Sequence, residues 1–337
     1  MSTDSTSTLV AQPAPALAAP EHARPNRAGV IFAFLAIWIV WGSTYLAIRY
    51  AVVTIPPLYT AGTRHLTAGL ILLAWCAWKK LRPTWPQIRA SIVIGALFFL
   101  IGHGSLHWAE QVVPSGLASL LITTEPMFVF AITCAVEKKW RMNLPLLAGI
   151  LLGVAGVALL VGRSVLSSNP KMFLGTVAIL VGSLSWSAGM VYSRRSHLSG
   201  HPMLLSALSL LAGAVMLLTV GTLAGEARGF SLSSVSHRSW AALAYLIIFG
   251  SVITFSAYNW LLEHYSPTLI ATHTYVNPII AVLLGWLIAR EPLTLNLGIA
   301  AAMVVGAVIL VDHGMARLHP SAGQSLPSRS PAGKLAE

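Results

Sequence analysis

Long runs of apolar residues, each about 20 residues in length, recur along the chain, and this is the length that an α-helix needs to span a membrane. We predict ten such segments, numbered in chain order: 29–50, 57–78, 90–111, 114–136, 144–163, 172–193, 203–225, 240–263, 267–289 and 295–313. The runs are continuous rather than alternating, which favours helices over the strands of a membrane barrel. The pattern therefore predicts an all-α integral membrane protein.

The two halves of this pattern repeat one another. The matched positions are Trp108 with Trp260 and Pro126 with Pro278, both 152 residues apart, and Trp41 with Trp186 and Arg49 with Arg194, both 145 apart. We predict two five-helix repeats, 29–163 and 172–313. Because five crossings is an odd number, the second repeat is inverted in the membrane, a device of secondary transporters. The alternative is a chance likeness between membrane helices of similar composition.

Composition supports a membrane protein and orients it. Charged residues make up 9% of the chain, against about 25% in soluble domains. With the amino terminus inside, fourteen Lys and Arg residues fall in the inner loops and tails and six on the outer side. This asymmetry places both termini in the cytoplasm, so the net charge of +11 reports topology rather than nucleic-acid binding. Residues 1–28 and 314–337 are predicted to be disordered cytoplasmic tails.

The chain resembles the EamA family of the drug/metabolite transporter superfamily in four stretches: WIVWGSTYLAIRYAV, WAEQVVPSGLASLL, TYVNPIIAVLLGWLIAREPLT and GAVILV. The resemblance implies a ten-helix transporter of the cell (inner) membrane, in which the fifth and tenth helices lie outside a central cavity. It also implies a small-molecule substrate such as an amino acid, a metabolite analogue or a drug, with efflux expected. The turn EKKWRMN departs from the family pattern that AREPLT follows, which leaves the role of Glu137 open.

Ionisable residues inside membrane segments are costly and therefore indicate function. Arg64 lies in segment 2 and Glu125 in the middle of segment 4, at depths that differ by roughly 6 Å at the helical rise. One interpretation is a site for an anion, a zwitterion or a proton. The other is a static ion pair between the two side chains that fixes helix packing.

Two prolines predict helix breaks at mid-depth. Pro126 follows Glu125, Pro278 follows Asn277, and a proline inside a helix frees the carbonyl four residues earlier. Broken helices at matching positions of two repeats indicate a transport site. A plain packing kink is the alternative, since proline is common in membrane helices.

Histidines and aromatic residues supply further candidates. His103 and His107 share one face of segment 3, with Glu110 about one turn further on, so a proton relay is one interpretation. Hydrogen bonds to neighbouring helices are the alternative, and a metal site has little support because no third ligand is evident. The remaining candidates for contact with a substrate are Trp41, Tyr45, Trp108, Tyr258, Asn259, His273 and Tyr275, several of which are equally typical of membrane interfaces.

Glycines four residues apart predict close helix packing in segment 5 (Gly149 and Gly153) and segment 7 (Gly221 and Gly225). Contact through segment 5 would also permit a homodimer. No cofactor and no metal are expected.

Two functions of other classes compete with transport. An intramembrane enzyme acting on lipid or peptide is one, but the sequence contains neither H-E-x-x-H nor G-x-S-x-G. A non-transporting sensor or scaffold is the other, and the short tails offer no signalling domain for it. The favoured hypothesis is transport of a small molecule, and this transport could be coupled to protons.

Overall fold

The computed structural model describes residues 26–138, 142–168, 170–196, 201–265, 267–270 and 272–318. Most of both predicted tails, residues 1–25 and 319–337, therefore lies outside the described residues. The helices are α1 Arg27–Ala51, α2 Pro57–Trp78, α3 Trp85–Ala109, α4 Ser115–Ile122, α5 Glu125–Glu137, α6 Leu144–Ser168, α7 Pro170–Arg195, α8 Pro202–Leu223, α9 from His237 to His264, α10 Pro267–Ile270, α11 His273–Ala289 and α12 Leu295–Leu318. The described part of the chain contains no β-strand, so the predicted all-α class is confirmed.

The helices begin at residues that suit a helix start. Thr84 and Gln87 form a capping box at the start of α3, in which each side chain bonds the other residue's backbone N–H. Ser236 accepts from the Ser239 N–H ahead of α9. Pro57 opens α2, where its missing N–H leaves no bond unmade.

Eight helical stretches of the described chain are long and apolar enough to cross a membrane. They correspond to the predicted segments other than 2 and 9. The helix of segment 2, α2, has 22 residues but is more polar, since Arg64 and His65 lie on it. The main helix of segment 9, α11, has 17 residues. The membrane character is thus confirmed, whereas the count of ten spans stays a prediction.

Three helices contain a π-helical stretch. These stretches are Ala36–Val40 in α1, Gly95–His103 in α3 and Ile248–Ile253 in α9. A π-helical turn shifts the hydrogen-bond pattern and leaves some carbonyls without their usual partner, and such turns are frequent at functional sites. In the stretches of α1 and α9, backbone carbonyls face polar side chains from other helices, as described below.

The helices pack in a small set of pairs. The most extensive pairs are α2 with α8, α6 with α12, α3 with α7 and α1 with α9. Smaller contacts join α3 with α8, α2 with α9, α5 with α7, α1 with α11 and α4 with α11. Only 28% of the residues in the apolar windows of α6 and α12 are buried, against 50% in α1, α3 and α7. The α6–α12 pair therefore lies at the edge of the bundle, and the polar interior lies among the other helices.

Glycine makes the close approach of α6 and α12 possible. A Cβ on Gly149 would lie 2.8 Å from the backbone oxygen of Ala307, and one on Gly153 would lie 3.2 Å from the Ala307 side chain. The predicted glycine motif of segment 5 thus packs inside the chain. The predicted motif of segment 7 needs correction, because α8 ends at Leu223 and Gly225 lies beyond it with a φ of 86°. That positive φ terminates a helix, which is a role that glycine fills without strain.

Two of the predicted segments are interrupted. Segment 4 breaks at Thr123 and Thr124, immediately before Glu125 and Pro126. The hydroxyls of the two threonines donate to the carbonyls of Ser119 and Leu121 at 2.9 and 2.7 Å, which satisfies backbone groups near the break. Pro126 is the second residue of α5, where its missing N–H is tolerated.

The break in segment 9 lies at a different place from the one predicted. Helix α11 runs through Pro278 and begins at His273, after a turn at Thr272, whereas α10 ends at Ile270. Side chains satisfy the carbonyls there: Thr272 Oγ1 donates to Leu269 at 2.6 Å, and His273 Nδ1 donates to Ile270 at 2.8 Å. The predicted break at Pro278 is therefore corrected, because the proline lies inside α11.

Candidate functional site

Arg64 lies at the centre of the polar interior. Its side chain is buried, with 3% exposed, and it reaches across from α2 to the π-helical stretch of α9. Nε donates to Ser251 Oγ at 3.0 Å, and Nη2 donates to the Gly250 carbonyl at 3.3 Å. No carboxylate of the described residues is close enough for an ion pair with Arg64, so the static pair with Glu125 considered from the sequence is not formed. The guanidinium is therefore a buried cation held by neutral groups.

A chain of three histidines lies beside it. His103 Nδ1 and His65 Nε2 are 2.8 Å apart, and His107 Nδ1 donates to the His103 carbonyl at 2.7 Å. Trp186 stacks on His103 with ring centroids 5.0 Å apart. His65 Nδ1 and His107 Nε2 have no hydrogen-bond partner. The three histidines therefore link α2 to α3. Their two unpartnered nitrogens, His65 Nδ1 and His107 Nε2, are available to a further hydrogen-bond partner.

His65 was not among the sequence candidates. It follows Arg64 directly and is 0% exposed. The rule that selected Arg64, that an ionisable residue within a membrane segment indicates function, also applies to His65. Its pairing with His103 could not be read from the sequence, because it depends on how α2 and α3 are rotated against each other.

The acidic candidates Glu110 and Glu125 both lie within electrostatic range of Tyr45. Glu110 follows the last residue of α3 and is 1% exposed, and neither of its carboxyl oxygens has a hydrogen-bond partner. Glu125 is the half-buried first residue of α5. Tyr45 lies within electrostatic range of both carboxyl groups and of Arg64. We call the set Tyr45, Arg64, His65, His103, His107, Glu110 and Glu125 the central cluster.

Three rings form an aromatic group next to the central cluster. The ring centroid of Trp41 lies 5.3 Å from that of Tyr258 and 5.1 Å from that of His273. Trp41 Nε1 donates at 3.2 Å to the Gly250 carbonyl, which also accepts from Arg64. This shared acceptor joins the aromatic group to the central cluster.

Of the other sequence candidates, Asn277 adjoins the aromatic group, with its amide nitrogen 3.1 Å from the His273 backbone oxygen, whereas Trp108 and Tyr275 lie apart from both groups. Asn277 is buried and faces carbonyls of α1, with its amide nitrogen 2.9 Å from the Trp38 oxygen and 3.1 Å from the Ile37 oxygen. The hydroxyl of Tyr275 donates to Asp312 of α12. Trp108 is 43% exposed on the outside of the bundle. The side chain of Asn259 lies outside what the structure describes.

One end of the bundle is held by a carboxylate that the sequence analysis did not select. Glu291 Oε1 accepts from the Ser115 N–H at 2.8 Å and from its hydroxyl at 2.9 Å, and Oε2 accepts from the Gly116 N–H at 3.1 Å. Arg49 Nε lies 3.5 Å from Oε1. This Glu291 clamp, consisting of Arg49, Ser115, Gly116 and Glu291, joins α1, the start of α4 and the turn after α11.

Further contacts lie at the same end of the bundle. Glu226 accepts from the N–H groups of Leu58 and Tyr59, both at 3.1 Å, and so caps the start of α2. Arg238 lies over the ring of Tyr50 at 3.6 Å. This end, where α1 ends and α2 begins, is thus joined by polar contacts between several helices.

The arrangement suits binding more than covalent chemistry. A buried guanidinium, unpartnered imidazole nitrogens and an aromatic face can hold an anionic or amphipathic molecule. Among the described residues, no group of three or more His, Cys, Asp and Glu side chains is placed to hold a metal ion. No candidate nucleophile was identified in the sequence, and the central cluster brings none together with a base.

Comparison with known proteins identifies the family. The sequence pattern of the EamA-like transporter family matches residues 27–162 and matches again at residues 173–311. The chain belongs to the EamA-like transporter family. The family resemblance stated from the sequence is confirmed, and with it the transporter class.

Relatives of this EamA-like chain carry similar descriptions. An "Uncharacterized inner membrane transporter YedA" of Escherichia coli K12 is 39% identical over 285 residues, which cover 84% of this chain and 90% of YedA. An "Uncharacterized transporter YoaV" of Bacillus subtilis is 25% identical over 288 residues, which cover 83% of this chain and 96% of YoaV. One solved crystal structure superimposes with a TM-score of 0.59 at 22% identity, covering 89% of this chain and 100% of the other, which supports the fold.

Proposed function

We propose that this EamA-like protein is a secondary transporter that moves small metabolites, such as amino acids, metabolite analogues or drugs, out of the cell by alternating access. The observation that carries the proposal is Arg64, a cation that is 3% exposed and bound only by neutral groups. A buried charge is costly unless it is paired. A substrate carboxylate or phosphate that binds Arg64 would supply the partner that the protein itself does not provide.

The proposed substrate site combines the central cluster with the aromatic group. Arg64 binds the anionic part of the substrate, while Trp41, Tyr258 and His273 stack on an aromatic or cationic part. Glu125 and the histidine chain are the proposed groups for binding a substrate amine or a coupled proton. Both parts of the site meet at the Gly250 carbonyl, so a single molecule can contact both.

The proposed architecture is ten membrane helices in two inverted five-helix repeats, 29–163 and 172–313. The packing supports it: exchanging each helix for its counterpart in the other repeat turns the α3–α7 contact into α9–α1 and the α3–α8 contact into α9–α2. The pairs α2–α8 and α6–α12 map onto themselves, as pairs on a twofold axis do. The family match to each half supports the same division.

Local backbone features support the same register. The left-handed residues Lys138 and Arg290, which end α5 and α11, are 152 positions apart, as are Pro126 and Pro278. The π-helical stretch of α9, shifted by that separation, falls within the stretch Gly95–His103 of α3. Alternating access then follows if each repeat adopts the conformation of the other in turn.

The proposed location is the inner membrane, with both termini and both tails in the cytoplasm. The name of the YedA relative supports the inner membrane, and the distribution of Lys and Arg supports the orientation. In this orientation, the end of the bundle that holds the Glu291 clamp faces outwards. A homodimer stays an open proposal.

A substrate screen followed by flux measurement tests the proposal. Cells that overproduce the protein are grown with amino acids, nucleosides and antimicrobial compounds, and any compound that they tolerate better is radiolabelled and supplied to everted membrane vesicles. We expect uptake into vesicles from producing cells, loss of uptake in Arg64→Lys, and normal uptake in Arg89→Lys, whose side chain is exposed. Uptake that Arg64→Lys leaves intact would remove Arg64 from the site, and an absence of uptake for every tolerated compound would contradict transport.

A further inference from the structure

Glu110 is a buried acid whose carboxyl oxygens make no hydrogen bond. The nearby acid Glu291, in contrast, accepts several hydrogen bonds. The side chain of Glu110 is 1% exposed. The groups within range are Arg49 of α1, whose backbone N–H also lies near the carboxyl group, Arg64 of α2 and Glu291 after α11. Tyr45 of α1 lies within range as well.

Solvation physics fixes the charge of Glu110 in this arrangement. An ionised carboxylate that is removed from water without hydrogen bonds or an ion pair costs several kcal/mol. Within the described residues, the ion pair is made by Arg49 and Glu291 instead. A protonated, neutral Glu110 avoids that cost while the Glu291 clamp is closed.

Arg49 connects the charge of Glu110 to the clamp. Its Nε lies 3.5 Å from Glu291 Oε1, and its Nη1 donates to the Val113 carbonyl at 3.0 Å. If Glu110 ionises, two carboxylates compete for the same guanidinium. The clamp loses part of its attraction, and Glu291 is the group that holds the start of α4 against α11.

We propose that Glu110 is a proton-binding site that controls the Glu291 clamp, with the proton bound when the clamp is closed and released when it opens. This inference deepens the proposed function and rests on it, since it names the coupling ion and the group that carries it. The sign follows from linkage: the closed form binds the proton more tightly, so a lower pH favours the closed form and a higher pH favours the open form.

The test measures opening directly and needs no transported solute. Ser119 is 1% exposed and lies one turn after Ser115 on the same face of α4, so a cysteine there becomes reachable when the clamp opens. The native cysteines are buried, with Cys76 at 0% and Cys134 at 6% exposed, which keeps the background low. The full-length Ser119→Cys protein in lipid nanodiscs is treated with a polar maleimide between pH 5.5 and 8.5. Each rate is divided by the rate of the same chain unfolded in detergent at that pH, which removes the titration of the thiol.

We expect the normalised labelling rate to rise with pH, by up to about tenfold per pH unit for a single linked proton. Glu110→Gln, which mimics the protonated acid, gives a low rate that does not change with pH. A flat profile with Glu110 present, or a slope that survives Glu110→Gln, overturns the proposal. Thr123→Cys, one turn deeper and 4% exposed, serves as the reporter if Ser119→Cys does not fold.

Glu226→Gln is the matched control, because Glu226 is a partly buried acid at the same end that caps α2 and takes no part in the Glu291 clamp. Burial raises the pKa of its carboxyl, and the hydrogen bonds from Leu58 and Tyr59 oppose that shift in part. The pH slope should survive Glu226→Gln. A slope that disappears there and persists in Glu110→Gln would assign the effect to Glu226 and overturn the proposal.

The outcome is separable from that of the proposed function. Solute flux is measured in vesicles from the same cells. A pH slope lost only in Glu110→Gln, together with no flux for any solute, contradicts transport but not the proton site. Flux without a slope contradicts the proton site alone.

Discussion

Glu291→Gln tests how strongly one carboxylate closes this end of the bundle. The variant keeps an acceptor oxygen for Ser115 but places an amide nitrogen opposite the Gly116 N–H, which lies 3.1 Å from Oε2. A hydrogen bond to a charged group contributes about 1.5–3 kcal/mol, and the partly exposed pair with Arg49 adds about 0.2–1 kcal/mol. The closed form should therefore lose roughly 2–4 kcal/mol relative to the open form.

That loss corresponds to an open fraction raised by about 30-fold to several hundred-fold, at 1.4 kcal/mol for each factor of ten. The assay is the labelling rate of Ser119→Cys at pH 6, compared with and without Glu291→Gln. Glu226→Gln serves as the control, since its contacts lie on α2 and leave the start of α4 untouched. A rate in Glu291→Gln within about threefold of the parent, far below the factor expected, would refute the reasoning that Glu291 holds this end closed.

Three further predictions concern packing, the site and the topology. Gly149→Leu should lower the free energy of unfolding by about 1–3 kcal/mol, because the larger side chain overpacks against α12. The loss is measured as a lower thermal midpoint in detergent. Gly298→Leu is the control and should leave the midpoint unchanged, because no atom lies within 4 Å of its added Cβ. Glu125→Gln should abolish flux at near-normal expression if Glu125 binds substrate or proton, and Glu137→Gln, at an exposed position, should not; unchanged flux would remove Glu125 from the site. A reporter fused after Glu337 should read as cytoplasmic, and an external reading would contradict the proposed helix count or orientation.

The sequence predicted an all-α membrane protein correctly because each membrane helix requires a long run of apolar residues. It also selected six of the seven residues of the central cluster, because an ionisable or polar side chain in such a run is conspicuous. It could not show how those residues pair. One partner of Arg64 is the backbone carbonyl of Gly250 in a π-helical stretch, and no side-chain pattern in the sequence marks such a carbonyl.

Asn277 is a second residue whose contacts could not be predicted from the sequence. Its place before Pro278 made it a site candidate, yet its amide nitrogen faces the carbonyls of Ile37 and Trp38 within the π-helical stretch of α1. Glu291 was overlooked for a related reason. It lies in a turn where charged residues are ordinary, and its importance arises only because the start of α4 packs against it.

The carbonyl of Gly250 accepts from both Trp41 and Arg64, and this sharing has a consequence for a loaded carrier. If an anion bound at the proposed site drew the guanidinium away, the indole would be left as the remaining donor to that oxygen. Occupancy at α2 is thereby felt at the junction of α1 and α9, which join opposite repeats in the proposed architecture. A single peptide group would in this way couple substrate binding at Arg64 to the contact between the two proposed repeats.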